Sequence, residues 1–249
     1  METIKRRCAT LLLIIFHCIG CAGGVTRTGT IPVPDVPLND PALAPASRIS
    51  KWWVDRHNAR IKNIIINQKI ILIGDSITQG YEGTEAWTAL LKQYNNKITN
   101  LGFAGDGTEH VIWRLENGEF PAGINPEYIV LMIGTNNRNA PTSIAAGIGK
   151  ILKIINANSP GSKILLFSIL PRGSGINDTD TVRNYAVNQI IKNYSGYLGI
   201  KYIDIGNSYI KSTGELIEEL FTDRLHLTQA GYAIWKDKII EVVNNWKNY

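Results

Sequence analysis

The sequence predicts an α/β domain in which a parallel β-sheet is covered by helices on both faces. Five short apolar runs rich in β-branched residues alternate with longer segments of helical period, the pattern of strands buried on both sides. The chain is also large enough to bury such a core: it has 249 residues, 44% of them hydrophobic and 19% charged.

The first twenty residues stand apart from that domain. A basic Lys5-Arg6-Arg7, an apolar Leu11 to Phe16 and the small-residue exit Ile19-Gly20-Cys21-Ala22 read as an export signal, too short to span a membrane. Cys18-Ile19-Gly20-Cys21 also resembles a bacterial lipobox, although Cys18 stands where that pattern usually has Leu. Residues 1–20 are therefore expected to be cleaved, leaving Cys21 first in the mature chain with its thiol lipidated. The expected location is the cell envelope, on the periplasmic side or at the outer membrane, with a lipid anchor as the membrane contact. Ordinary secretion is the alternative. Residues 21–50, rich in Pro, Gly, Thr and Ala and without an apolar period, are expected to be a flexible tether. The catalytic domain is placed at 51–249.

Within that domain a first helix is expected from Trp52 to Asn67, with Trp53, Ile61, Ile64 and Ile65 on its apolar side. The strands are read at 69–74, 97–101, 128–133, 163–169 and 200–205, each of buried-strand length. Helices are read between them at 85–94, 108–117, 142–157 and 179–194, and a last one at 228–246. In a sheet of this kind ligands collect at the carboxyl ends of the strands, near the point where strand order reverses. Chemistry should then follow the first three strands, where Gly74-Asp75-Ser76, Gly102-Phe-Ala-Gly105-Asp106 and Gly134-Thr135-Asn136-Asn137 stand.

Several function classes are disfavoured. The formal charge of +5 falls to +3 without the first twenty residues, and the remaining cations are scattered among acids, so no nucleic-acid partner is expected. There is no phosphate-binding Gly-x-x-x-x-Gly-Lys-Ser/Thr, no Gly-x-Gly-x-x-Gly after the first strand and no Gly-x-Ser-x-Gly elbow. All three cysteines lie in the first 21 residues, leaving only His57, His110 and His226 beyond them, a poor set for a His/Cys metal cage.

Serine hydrolysis needs a hydroxyl, a base, a group that orients the base, and donors for the oxyanion. Ser76 follows a buried strand at a helix start, where it could be a nucleophile or simply a helix cap. Asp223 lies three residues before His226, close enough for its carboxylate to accept the imidazole Nδ1 proton, although the pair could equally belong to a turn. Gly105 could offer an unobstructed amide and Asn136 a carboxamide, and both also suit turns. His110 and Trp113 read as packing residues and His57 as a surface or packing one. Arg172 could meet an acidic substrate group or form a structural ion pair.

Taken together, these residues resemble the SGNH (GDSL) hydrolase superfamily. The likeness is carried by Gly74-Asp75-Ser76-Ile77-Thr78, Gly105, Gly134-Thr135-Asn136 and Asp223-Arg-Leu-His226 in that order, over about residues 52 to 246. A closer likeness is to the catalytic subunits of type I platelet-activating-factor acetylhydrolase and their bacterial relatives. It rests on Asn100 to Phe120, Gly134-Thr-Asn-Asn137, Leu170-Pro-Arg-Gly173 and Leu225-His226-Leu-Thr228. The resemblance implies a three-layer, flavodoxin-like fold with sheet order 2-1-3-4-5 and no metal or cofactor. It also implies a Ser76-His226-Asp223 triad, with an oxyanion hole made of the Ser76 and Gly105 amides and the Asn136 side chain. The expected reaction is hydrolysis of a small acyl ester, foremost acetyl, carried on a glycan or a lipid. The alternatives are a phospholipid or lysophospholipid esterase, an O-acetyltransferase of envelope glycans, and a non-catalytic glycan-binding module. The loops at 138–141 and 173–178 are expected to border the site and select the substrate.

Overall fold

The structure, a computed structural model, describes residues 29–63 and 67–249. The predicted signal and Cys21 lie outside the described residues. Five strands, β1 (Ile70–Gly74), β2 (Ile98–Gly102), β3 (Tyr128–Met132), β4 (Lys163–Phe167) and β5 (Ile200–Ile203), form one all-parallel sheet in the order β2-β1-β3-β4-β5. The expected three-layer fold and strand order are thus observed.

The alternation of side chains along each strand sorts the core into two layers. Ile70, Leu72, Val130, Met132, Leu165 and Phe167 face one side. There they meet α3 (Glu85–Gln93) through Ala86 and Leu90, and α7 (Gln229–Asn244) through Trp235, Ile239 and Val242. Ile71, Ile73, Ile129, Leu131, Ile164 and Leu166 face the other side. That side carries α4 (Thr108–Arg114), α5 (Pro141–Asn158) and α6 (Thr179–Ile191), which contribute Val111, Ile144, Ile148 and Val187.

Two helices are shorter than their apolar pattern implied. The first, α1, runs Lys51–Lys62, and α4 stops at Arg114 because Asn117 and Gly118 leave helical geometry. A further short helix, α2 (Ser76–Gln79), sits directly on the sheet ends. A Cβ on Gly102 would lie 2.3 Å from the Gln79 amide nitrogen, so glycine is what lets α2 approach β2 this closely. In the sheet register Gly74 is level with both Gly102 and Met132, so the loops after β1, β2 and β3 leave the sheet at one height.

The tether expectation is corrected for its described part. From Ile31 onward the segment lies against the domain: Ile31 and Ala42 are buried and Val33 packs on the α5 side of the core. Asp40 accepts a 2.6 Å hydrogen bond from Ser143, and the Ala42 carbonyl accepts one of 2.8 Å from Thr108. Prolines 32, 34, 37, 41 and 45 restrict its backbone, which turns at Pro37–Asp40 and again at Asp40–Ala44, and this lowers the entropy lost when it docks. A strap of this kind, neither helix nor strand, inserts isolated side chains, so it shows no apolar period even though it is packed.

Candidate active site

Asp75 caps α2, its Oδ1 accepting from the Ile77 amide at 3.0 Å, and so fixes Ser76 as the first residue of that helix. The amide of a first helical residue has no intrahelical partner and is free to meet an anion. Ser76 is half-buried, whereas Asp75 is fully enclosed. Burial pushes the Asp75 carboxyl up to about 7, against the pull of the Ile77 amide, with Asp106 adding to the rise.

His226 comes from the far end of the chain, 150 residues from Ser76, and its Nε2 lies 2.9 Å from Ser76 Oγ. Its Nδ1 lies 2.7 Å from Asp223 Oδ2. The loop between them is tight. Asp223 Oδ1 accepts from the amides of Leu225 at 3.1 Å and His226 at 2.7 Å, and Arg224 takes φ +62°. The antiparallel bridge Phe221–Leu227 closes its base. Burial pushes the Asp223 carboxyl up, but the hydrogen bonds from the His226 amide and imidazole outweigh it and leave it below the ordinary aspartate value. A carboxylate of this kind on Nδ1 holds the tautomer whose Nε2 can accept a proton from the serine.

Phe103 to Asp106 form a β-turn closed by a 3.2 Å bond from the Asp106 amide to the Phe103 carbonyl. Gly105 is its third residue, with φ +76°, while Ala104 keeps negative φ. This is a type II turn, which needs glycine at that position. Gly105 is exposed beside the Ser76 loop, to which the turn is bound: Phe103 N donates to Gly74 O at 3.1 Å and Ala104 N to Gln79 Oε1 at 2.7 Å. Asn136 donates from Nδ2 to the Asp106 carbonyl at 3.0 Å, bringing the loop after β3 against the same turn. The structure therefore brings Ser76, His226 and Asp223 into one hydrogen-bonded line, and places Gly105 on the adjoining turn with Asn136 bound to that turn.

Behind that turn lies a buried polar network. Arg114, fully enclosed, donates from Nε to Asp106 Oδ2 at 2.8 Å and from Nη1 to Glu119, and its guanidinium lies 4.0 Å from the Phe103 ring centre. Trp53 Nε1 donates to Asp106 Oδ1 at 2.8 Å, and His57 Nδ1 sits 2.7 Å from Glu119. His57 is thus buried, stacked on Trp53 and next to Trp113, and is no surface residue. His110 accepts from the Gly107 amide at α4's start. Arg172 braces the residue before Asn136, donating to the Thr135 carbonyl at 3.2 Å, and lies 3.5 Å from Asp180. Of these, the Asp106–Arg114 pairing is what sequence reasoning missed. Its one signal is an arginine between Ile112 and Leu115 on the apolar side of a helix, eight residues after an aspartate.

Among the described residues no cluster of His, Cys, Asp or Glu could hold a metal, and no helix is long and apolar enough to cross a membrane.

Residues 72–234 match the model of the GDSL-like lipase/acylhydrolase family. The chain is 34% identical over 184 residues to the platelet-activating factor acetylhydrolase IB subunit alpha2 of Rattus norvegicus, covering 73% of this chain and 79% of that protein. Among solved structures, a GDSL-like lipase from Bacteroides thetaiotaomicron superposes with a TM-score of 0.65 at 18% identity, covering 77% of this chain and 97% of that one. An acetyl xylan esterase superposes with a TM-score of 0.58 at 22% identity, covering 70% of this chain and 98% of that one.

Proposed function

The chain belongs to the GDSL-like lipase/acylhydrolase family and is a carboxylic ester hydrolase, and on that premise we propose that it cleaves small acyl esters, foremost acetyl, with Ser76 as nucleophile. The observation that carries this reading is the line Ser76 Oγ, His226 Nε2, His226 Nδ1, Asp223 Oδ2, with contacts of 2.9 and 2.7 Å. His226 takes the hydroxyl proton as Ser76 Oγ attacks the ester carbonyl carbon. The oxyanion that forms is met by the Ser76 and Gly105 amides and by the Asn136 carboxamide. Collapse breaks the bond to the alcohol oxygen, which leaves with the proton held by His226. A water then gives its proton to His226, attacks the acyl-serine, and releases the acid and the free hydroxyl.

The acetyl preference is supported by the acetylhydrolase relative. An acetylated glycan is favoured as substrate by the export signal read in the first twenty residues. Ser76→Ala is expected to abolish hydrolysis of p-nitrophenyl acetate while leaving the circular dichroism spectrum unchanged. A panel of acyl chains, including acetylated sugars and phospholipids, should show a maximum at acetate. Retained turnover in the variant would remove Ser76 from its role, and a maximum at long chains would move the substrate to lipid. Cys21 is proposed as the lipid attachment point. Incorporation of labelled palmitate in the producing cell should vanish in Cys21→Ala, and no incorporation in the parent would refute the anchor.

A further inference from the structure

The strap that crosses α5 ends at the proposed oxyanion site. Its course is fixed residue by residue: the Asp40 and Ala42 contacts, a 3.2 Å bond from Lys150 to the Leu43 carbonyl, and a 3.2 Å bond from the Ala46 amide to the Glu109 carbonyl. Two glycines of α5 leave room for it. A Cβ on Gly147 would lie 2.6 Å from the Ala42 carbonyl oxygen, and one on Gly149 would lie 2.5 Å from Val33. The last charged side chain before α1 is Arg48. Its Nη1 donates to the Ala104 carbonyl at 3.0 Å and lies 3.7 Å from Asp106 Oδ1. A Cβ on Gly105 would sit 2.7 Å from that same nitrogen, so the guanidinium lies directly over Gly105.

The Ala104 carbonyl and the Gly105 amide are the two ends of one peptide group. That group is the central peptide of the type II turn, and type I and type II turns differ by a flip of just this peptide. A flip would point the Ala104 oxygen where the Gly105 N–H now points. We propose that Arg48 is a positioning residue for hydrolysis: by holding the Ala104 carbonyl it locks the central peptide of the turn, so that the Gly105 N–H faces the oxyanion. The bond to Nη1 also polarises the peptide, which strengthens its N–H as a donor. The strap is on this account a part of the active site. The inference rests on the oxyanion role given to Gly105 above.

The test uses the full chain and p-nitrophenyl acetate, with Ser76→Ala assayed beside each variant. Arg48→Ala is expected to lower kcat about tenfold or more with KM nearly unchanged, short of the hundred- to thousandfold loss that removal of an oxyanion donor causes elsewhere. Labelling of Ser76 by a fluorophosphonate, which also develops negative charge on oxygen, should slow in parallel. Arg48→Lys keeps a cationic donor within reach of Ala104 and should restore most of kcat. Arg48→Met keeps the aliphatic stem over Gly105 without any donor, and should behave as alanine does even if Arg48→Ala proves unstable. Parental kcat in the methionine variant would overturn the proposal. So would a loss confined to KM, which would put Arg48 on the substrate, and so would failure of both the alanine and methionine variants to fold, which would assign Arg48 to stability. If the parent itself shows no Ser76-dependent turnover, the hydrolytic reading fails instead.

Discussion

Asp75 and Asp223 both serve the surroundings of Ser76, yet their environments push their carboxyls in opposite directions. Asp223 accepts hydrogen bonds on both oxygens and lies below the ordinary aspartate value, so the stability it contributes is present above the unfolded-chain value and is lost as pH falls through the lower folded one. Asp75 is enclosed and raised to about 7, so the sign reverses. Its folded form holds the proton more tightly than the unfolded chain does, and the resulting stability is full below about pH 4 and lost as pH rises toward about 7. Asn is neutral, has the same shape and can still accept from the Ile77 amide. Asp75→Asn is therefore expected to match the parent near pH 4 and to exceed it above pH 7 by an amount on the order of a few kcal/mol. Urea unfolding at both pH values measures it, and equal stability at pH 8 would mean that burial costs the carboxylate little. Ser76, Asp223 and His226 could be picked out in the sequence as candidates because each sits in a short motif, but on its own each motif also suits a helix cap or a turn, and only their order along the chain joined them. Asp106 and Arg114 were not, because what makes them partners is a turn and a helix folded onto each other.

At the scale of elements, legibility followed burial pattern. The central strands β1, β3 and β4 were readable because their runs are apolar on both faces, and the sheet register then explains why three separate loops meet at one height. Helix ends were less readable. The apolar stripe of α4 continues in sequence through Leu115, but Asn117 and Gly118 turn the chain so that Glu119 can reach Arg114. That departure from a regular helix matters to the site. It closes a buried hydrogen-bonded chain from His57 through Glu119 and Arg114 to Asp106, whose main-chain carbonyl holds Asn136. Such a network gains little net stability over apolar packing, while removing one member strands a buried charge at a cost of about 3–5 kcal/mol. Its use here is geometric: it makes the turn carrying Gly105 rigid from behind. The short α2 was not separable in sequence either, since four residues are too few to show a period.

For the whole molecule, the order β2-β1-β3-β4-β5 puts the strand that leads to Ser76 between those that lead to Gly105 and Asn136, and the segment between β5 and α7 brings His226 to the same end. The sequence could suggest that convergence only through the order of its motifs, because the distances involved span most of the chain. The same scale shows that the folded unit includes residues 31–50. A boundary at residue 51 would cut off Ile31, Val33 and Ala42, which pack on the α5 side of the core or are buried there, and with them the contacts to Ser143, Thr108 and Lys150. Burying one large aliphatic side chain is worth about 1.5–3 kcal/mol, and the exposed groove over Gly147 and Gly149 would gain nothing in return. A chain starting at Lys51 is therefore expected to melt several degrees below one starting at Gly29 and to lose kcat as well, since Arg48 departs with the strap. Thermal unfolding of the two chains, read beside their turnover of p-nitrophenyl acetate, decides the matter. Equal melting temperatures would return residues 29–50 to the role of a tether that merely rests on the surface.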